Sequence, residues 1–429
     1  MSEPLRIGVA GLGTVGAGVV KILQHNAGLI TARAGREIRV VAVSARNRER
    51  ERGISLQGIR WYDDAVEMTT YPALDVVCEL IGGAEGIARD VCVSALKNGK
   101  SVVTANKALV AHHGEALEAL SLEKEKEFAF EAAVAGGIPV IKTLREGLSA
   151  NRIARLQGIM NGTCNYILTQ MEKTGKPFDE VLAEAQAKGY AEADPTFDVD
   201  GIDTAHKLAI LSALAFGFAP AMDPLPCEGI RRITIADIAY ARQLGYRIKL
   251  LGIASEQDGK VMQRVNPALV PLASPLGTVD DVYNAIQIEG DFVGRIFLEG
   301  RGAGEGPTAS SVVADIIDIA RGIAAPTLNV FPTRRGNAEF APLETIETGY
   351  YLRLDVLDKP GVLAEVTGAL KDGGISLRDV SQHSGGPDER VHIVLTTHRV
   401  RERNMREAMA KIEAMDAVVE PPQMIRIEA

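Results

Sequence analysis

Between Gly189 and Lys207 the chain sets five carboxylates and one lysine within nineteen residues: Glu192, Asp194, Asp198, Asp200, Asp203 and Lys207. Pro195 and Gly201 punctuate a loop, and the apolar spacing from Ile202 to Leu211 then predicts a helix. Asp203 and Lys207, four residues apart, share one face of that helix. Taken alone, the spacing describes a solvated salt bridge of little energetic weight. A second reading comes from the apolar stretch Leu208 to Phe216, because an ammonium partly withdrawn from water can titrate or polarise a carbonyl. Glu192 and Asp203 would then supply counter-charges to a substrate carrying its own ammonium.

A second pattern lies near the N-terminus. Gly11-Leu12-Gly13-Thr14-Val15-Gly16 follows the apolar run Arg6 to Ala10, and helical spacing resumes from Val15 to Leu23. A strand, a G-x-G-x-x-G turn and a helix form the context in which such a turn binds a dinucleotide. Its glycines let the backbone approach a pyrophosphate, whose charge meets free N–H groups at the helix start. The other reading is a plain glycine turn. An acid at the end of the second strand would bind the ribose hydroxyls of NAD, but Val43-Ser44 runs into Ala45-Arg46-Asn47-Arg48. Arg46 suits a 2′-phosphate, which favours NADP and leaves NAD open; a solvated arginine is the alternative.

These patches need a scaffold. Ile38 to Val43, Leu74 to Leu80 and Ser101 to Thr104 read as further buried strands, with helical stretches between them that include Gly86 to Asn98 and Gly114 to Glu127. Strands alternating with helices predict a doubly wound parallel sheet, a Rossmann domain. After Phe128-Ala129-Phe130-Glu131 the texture changes. A strand-rich region with intervening helices begins at Ile153 to Met160, so the domains are drawn as 1–132 and 133–302. The helical segment Ala309 to Arg321 would pack back and complete the first domain over about 303–325. Residues 326–348, rich in Pro, Arg and Gly, read as a linker. From 349 to 429 the order β-α-β-β-α-β predicts a ferredoxin-like module.

Composition sets outer bounds. With 46% hydrophobic and 24% charged residues among 429, the chain is globular and long enough for about three domains. A net charge of −9 offers no overall field for nucleic acid or an anionic membrane. The start Met1-Ser2-Glu3-Pro4-Leu5-Arg6 has no signal-peptide pattern, and no apolar run reaches spanning length, so a cytoplasmic protein is expected. Cys78, Cys92, Cys164 and Cys227 lie far apart and are expected as reduced thiols. His112 and His113 are adjacent, which is not metal-ligand spacing; they are expected at the surface or in a loop.

The segment from Gly189 to Lys207 resembles the homoserine dehydrogenase motif, with Ala185, Gly189, Glu192, Asp194, Pro195, Asp198, Gly201, Asp203 and Lys207 in register. The resemblance runs from the glycine turn to about Arg321, through Thr104-Ala105-Asn106-Lys107 and Gly158-Ile159-Met160-Asn161-Gly162-Thr163. It implies reversible reduction of L-aspartate 4-semialdehyde to L-homoserine with NAD(P)H, in threonine, methionine and isoleucine biosynthesis. Lys207 is then the proton donor and acceptor at the carbonyl oxygen, and Lys107 the second lysine near cofactor and substrate. Glu192 and Asp203 hold the substrate's amino group, and Gly189 lies where substrate and cofactor meet. Thr104 and Gly304 join the glycine turn as cofactor contacts. The resemblance further implies a structural monovalent cation, sodium-like, at Glu131, Val134, Gly136 and Ile138; oxygen donors suit such a hard ion. Two lysines can stabilise and protonate a developing alkoxide with no metal acting as Lewis acid.

Cys164 stands where the family usually has Thr. It raises the rival reading of an aldehyde dehydrogenase acting through a thioester, which would need a base beside the thiol; no histidine is near it in sequence. Asp358-Lys359-Pro360-Gly361-Val362-Leu363 followed by Gly373-Gly374-Ile375 resembles the ACT domain, an amino-acid-binding regulator. L-threonine is the implied effector, the amides of the Pro360-Gly361 turn are a carboxylate site, and pairing across subunits implies a homodimer or homotetramer. A dimerisation module with no ligand is the other reading. A catalytically silent, nucleotide-binding amino-acid sensor is the alternative for the whole chain. The length is expected to leave no room for a kinase ahead of the dinucleotide domain.

Overall fold

The computed structural model describes residues 3–223, 225–323, 325–382 and 389–428. The N-terminal sheet is parallel and is formed by β1 (Leu5–Ala10), β2 (Ile38–Ser44), β3 (Arg60–Tyr62), β4 (Val76–Glu79), β5 (Ser101–Thr104) and β6 (Phe128–Ala129), in the order β3-β2-β1-β4-β5-β6. Strand order reverses between β1 and β4, where Ala10 lies beside Glu79. In a doubly wound sheet the crevice beyond the carboxyl ends of two such strands is the ligand site. The strands are apolar on both faces because helices cover both: Ile7, Val9 and Val77 are fully buried.

The family of strands is larger than the sequence pattern suggests, since β3 and β6 are too short to carry a period. The helix expected from Gly114 begins at Lys107 and runs to Glu123. Asn106 caps it, accepting from the Leu109 amide at 3.1 Å, which satisfies one otherwise unpaired donor of the first turn.

A second sheet has eleven strands. The central region contributes β7 (Ile153–Ile159), β8 (Tyr246–Gln257), β9 (Lys260–Pro271), β10 (Tyr283–Gly290) and β11 (Gly294–Arg301). Next come β12 (Glu339–Phe340), β13 (Glu347–Leu357), β14 (Leu377–Gln382), β15 (Arg390–Thr397), β16 (Val400–Arg401) and β17 (Gln423–Ile427). The C-terminal module has the strand order β17-β13-β15-β14, with helices Val362–Asp372 and Glu402–Glu413 packed on one face around Leu352, Val366, Leu395 and Met405. Its last strand pairs in parallel with β9, so the module and the central region share one continuous sheet.

Two connecting segments are packed rather than free. Helix Glu305–Arg321 lies against the helix Thr14–His25 and buries Ala309, Val312 and Ile316 in the core of the first sheet. A Cβ on Gly18 would sit 2.8 Å from Glu305 Cγ, so glycine permits that close crossing. The stretch that reads as a linker in the sequence buries Leu328 completely, adds β12 to β9, and inserts Arg335 against the buried Glu118 carboxylate at 2.5 Å. Among the described residues no helix is long and apolar enough to cross a membrane.

Candidate active site

Helix Ile202–Phe216 starts at Gly201, whose φ of 86° is a left-handed conformation that disfavours other residues. From Asp203 to Leu214 every residue is buried, the polar Asp203, Thr204, His206, Lys207 and Ser212 along with the apolar ones. Lys207 is therefore an ammonium inside protein, and it is paired. Its Nζ donates to Asp203 Oδ2 at 2.7 Å and to the carbonyl of Met160 at 2.6 Å. An ammonium has three donors, so one remains for another acceptor.

Lys107 arrives from the other domain, as the first residue of the helix that follows β5. Its Nζ is 3.1 Å from Asp203 Oδ1 and 5.4 Å from the centre of the Phe197 ring. Asp203 thus faces both lysines. Burial alone would raise its carboxyl, but the charges of Lys207 and Lys107, with hydrogen bonds from Lys207 and Asn161, hold it well below the usual carboxylate range.

Asn161 was not assigned a role from the sequence, yet its amide nitrogen bridges Asp203 Oδ2 and Asp198 Oδ1, both at 2.8 Å. Its own carbonyl caps helix Gly162–Thr174 by accepting from the Cys164 amide at 2.7 Å. Burial raises the Asp198 carboxyl, with Asn161 opposing. The motif spacing contained Asp198 and Asn161; only the fold reveals that they meet. The Cys164 thiol is fully buried, donates to the carbonyl of Asp198 at 3.2 Å, and is pushed well above its ordinary pKa by burial.

His112 is exposed at the surface, as expected, and His113 is half-buried, both on a helix rather than in a loop. His112 lies on the helix that Lys107 begins, and its Nε2 is 3.2 Å from Nε2 of His206, a buried neighbour of Lys207. Phe197 stacks against His206 at 5.4 Å between ring centres. Burial, aided by His112 and Lys107, pushes His206 down to about 4. His113 pairs instead with Glu85. Glu192 and Gly189 are exposed on the loop before Pro195, and among the described residues the Glu192 side chain has no hydrogen bond to the Asp203 cluster.

The glycine turn closes the crevice at the ends of β1 and β4. Gly11 has φ 97°, and a Cβ there would lie 2.6 Å from the Leu80 carbonyl; one on Gly16 would lie 1.9 Å from the Gly11 carbonyl. Beside Gly13 there is open space, and the helix it precedes has no side-chain cap. The first-turn amides, free of a side-chain acceptor and bordered by an unfilled volume, fit a pyrophosphate. Thr14 is exposed, Val15 half-buried and Leu12 buried, with the Leu12 carbonyl accepting from Arg52 Nε at 3.0 Å. Arg46 is exposed just beyond β2. Arg48 and Arg52 lie over Trp61 at 5.8 Å each.

Thr104 is buried, and its hydroxyl is taken by Glu79 Oε2 at 2.6 Å, so its side chain braces the crevice. The other Glu79 oxygen accepts from the amides of Ile81 and Gly82 at 2.7 and 3.2 Å. Gly304, φ 115°, precedes helix Glu305–Arg321, and Glu305 pairs with Lys21 on the glycine-turn helix at 2.7 Å.

The segment from Glu131 to Ile138 is buried apart from Gly137 and presses on residues 302–303, a Cβ on Gly136 meeting the Gly302 carbonyl at 2.5 Å. The Gly136 carbonyl accepts from Ser311 at 2.7 Å and that of Ile138 from the Val140 amide at 2.8 Å. The Glu131 carboxylate accepts from the amides of Ile141 and Lys142, and burial, with Asp315 nearby, raises it to about 7 against those amides. Val134 is fully buried in the same segment, and carbonyl and carboxylate oxygens are donors of the type that a hard monovalent cation takes. In the C-terminal module a cavity of about 470 Å³ opens beside the turn at Asp358, Gly361 and Val362.

Comparison with known proteins agrees with this geometry. Residues 11–131 match the homoserine dehydrogenase NAD-binding domain, 139–317 the homoserine dehydrogenase catalytic model and 350–417 the ACT domain. The chain is 46% identical to homoserine dehydrogenase of Pseudomonas aeruginosa, covering 99% of each, and 44% identical to that of Neisseria gonorrhoeae, covering 100% of this chain and 99% of the other. It superposes on the crystal structure of a homoserine dehydrogenase from Thiobacillus denitrificans with a TM-score of 0.93 at 47% identity, covering 99% and 98% of the two chains. A hyperthermophilic archaeal homoserine dehydrogenase in complex with NADPH gives a TM-score of 0.64 at 27% identity over 75% of this chain and 99% of that one. The chain belongs to the homoserine dehydrogenase family, NAD(P)-dependent oxidoreductases acting on a CH–OH group, and carries a C-terminal ACT domain.

Proposed function

We propose that the chain interconverts L-aspartate 4-semialdehyde and L-homoserine with NADP as the preferred nucleotide, Lys207 moving the proton at the substrate oxygen. The convergence of Lys207 and Lys107 on Asp203 carries this reading. When bound, the nicotinamide gives or takes the hydride. Lys207, with two of its three donors engaged, directs the third to the carbonyl oxygen, stabilises the charge that develops there and protonates it. Lys107 lends the second positive charge. Asp203 keeps both ammoniums in place and, with Glu192 brought in by the exposed loop, faces the substrate's amino group. Gly189 borders substrate and cofactor on that same loop.

The nucleotide is held by Gly11, Leu12, Gly13, Thr14, Val15 and Gly16, with Thr104, Lys107 and Gly304 around it and Arg46 at the 2′-phosphate. Residues 1–132 with 303–325 form its domain, 133–302 the catalytic and dimerisation domain, 326–348 the connection and 349–429 the regulator. Glu131, Val134, Gly136 and Ile138 hold a structural sodium-like cation. L-threonine acts at the Pro360-Gly361 turn, and the protein is a cytoplasmic homodimer or homotetramer.

Oxidation of L-homoserine, followed by NADPH absorbance, tests the reaction. Turnover should vanish in Lys207→Ala with cofactor affinity kept; undiminished turnover would refute the proton role. Arg46→Ala should move the ratio of kcat/KM for NADPH over NADH toward NADH by about tenfold, the worth of one charge-assisted contact.

A further inference from the structure

A cleft of about 810 Å³ lies between the catalytic sheet and the ACT domain, far along the fold from the glycine turn and sharing no residue with the cavity at Asp358–Val362. One wall is the end of the central sheet: Arg155 on β7, Lys260 and Arg264 on β9. The other comes from the ACT domain: Arg378 on β14, and Arg399 and Arg401 around the turn into β16. Six fixed cations therefore face one another across a space lined by three carboxylates, in a chain of net charge −9. A concave surface of the opposite sign to the whole molecule concentrates counter-ions.

The carboxylates are largely committed. Glu428 is shared by Arg155 at 2.6 Å and by Arg264, and Glu347 pairs with Arg401 at 3.0 Å. Arg399 spends a donor on the neutral main-chain carbonyl of Glu347 at 3.0 Å, and among the described residues no carboxylate pairs with it. Among the described residues Arg378 reaches only the Tyr246 hydroxyl, at 3.3 Å, and its sequence neighbour Asp379, at 3.6 Å. Arg264 is 6% exposed, and its Nε, like that of Arg155, is buried with no hydrogen-bond partner among the described residues.

We propose that this cleft binds a small polyanion, a molecule with two or more phosphate or carboxylate groups, which bridges the ACT domain to the catalytic sheet. Arginine forks match both kinds of oxyanion, so the arrangement selects charge and span before chemical type. Because β17 of the ACT domain is already hydrogen-bonded to β9, a ligand drawing Arg378 and Arg399 toward Arg155 and Arg264 stiffens a junction that exists in the free protein.

Calorimetric titration of the full chain tests this, with NADPH saturating so that the glycine turn is occupied and ionic strength held constant with potassium chloride. The probes are inorganic pyrophosphate and citrate. The expected result is saturable binding of one probe per chain, weakened about tenfold or more in Arg378→Gln/Arg399→Gln. Both side chains are exposed, and the double variant should keep its fold and basal turnover. Pyrophosphate binding alone assigns the phosphate class, citrate alone the carboxylate class. Lys260→Gln, on the opposite wall, should weaken binding as well and gives a second reading should the double variant misfold. Absence of saturable binding, as when a second copy of the chain covers the cleft, overturns the proposal. So does binding that neither variant weakens.

Discussion

Asp203 offers one carboxylate oxygen to each of two lysines from different domains: Oδ2 to Lys207 at 2.7 Å and Oδ1 to Lys107 at 3.1 Å. Lys207 is four residues away on the same helix, whereas Lys107 begins a helix of the nucleotide-binding sheet. The contact thus ties the helix that follows β5 of the parallel sheet to the helix that carries Lys207. Its anion remains charged through the neutral range, because the same lysines hold its carboxyl low.

Asp203→Asn keeps the shape but removes the charge. Two ammoniums then lose their shared counter-ion, and kcat should fall about 100-fold or more, within the range ascribed to a positioned proton donor. Stability should drop by about 3 kcal/mol, since Lys207 would be left buried with only the Met160 carbonyl and a neutral amide. NADPH affinity, measured by fluorescence, should change little. A variant with near-native kcat would remove Asp203 from the catalytic arrangement.

The turn glycines have different tasks, and alanine separates them. At Gly16 a Cβ would strike the Gly11 carbonyl at 1.9 Å, so Gly16→Ala should lower Tm clearly. At Gly13, φ −75° suits any residue and no atom lies within 4 Å. Gly13→Ala should melt within about 2 °C of the wild type, as surface substitutions do, yet raise the KM for cofactor by filling the pyrophosphate space. Equal loss of Tm in both variants would contradict this division.

His206 predicts a pH dependence of stability. Its folded pKa of about 4 lies below the ordinary value of 6.5, mainly through burial. Between those values the unfolded chain binds a proton that the folded chain refuses, so stability falls as pH drops from 6.5 toward 4 and this contribution is flat above 6.5. The effect should be about 3 kcal/mol. His206→Gln should flatten that limb of a Tm-against-pH curve, and an unchanged slope would assign the acid sensitivity to other groups.

The sequence disclosed what is local. Asp203 and Lys207 could be paired from their spacing, and the strand-turn-helix context marked the glycine turn. Lys107 had no such signature; its place beside Asp203 depends on packing between helices Lys107–Glu123 and Ile202–Phe216, and only resemblance singled it out. The His112–His206 contact spans 94 residues and leaves no trace in periodicity. Asn106 did carry a usable signal, as a helix cap directly before Lys107, and would have corrected the helix start. The pairing of β17 with β9 was illegible because both strands are buried on both faces and mix polar with apolar residues, so neither shows an alternation that marks its neighbour.

Cys164 separates the lysine-based chemistry from a thioester route. A nucleophilic cysteine needs a thiolate, access and a base. Here the thiol is fully buried, burial pushes its pKa well above 9.0, and its hydrogen goes to the Asp198 carbonyl at 3.2 Å. The surrounding charges raise the pKa further: Asp198, Asp203 and Asp200 all oppose a thiolate. Its neighbours instead suit a small polar packing residue at the start of helix Gly162–Thr174, where a hydroxyl could make the same bond. Cys164→Ser should therefore retain kcat within about threefold, with a stability change of about 1 kcal/mol, the scale of one hydrogen bond. Iodoacetamide should leave the folded wild-type enzyme active. Loss of turnover in Cys164→Ser with the fold intact, together with a trapped acyl-enzyme, would restore the thioester mechanism.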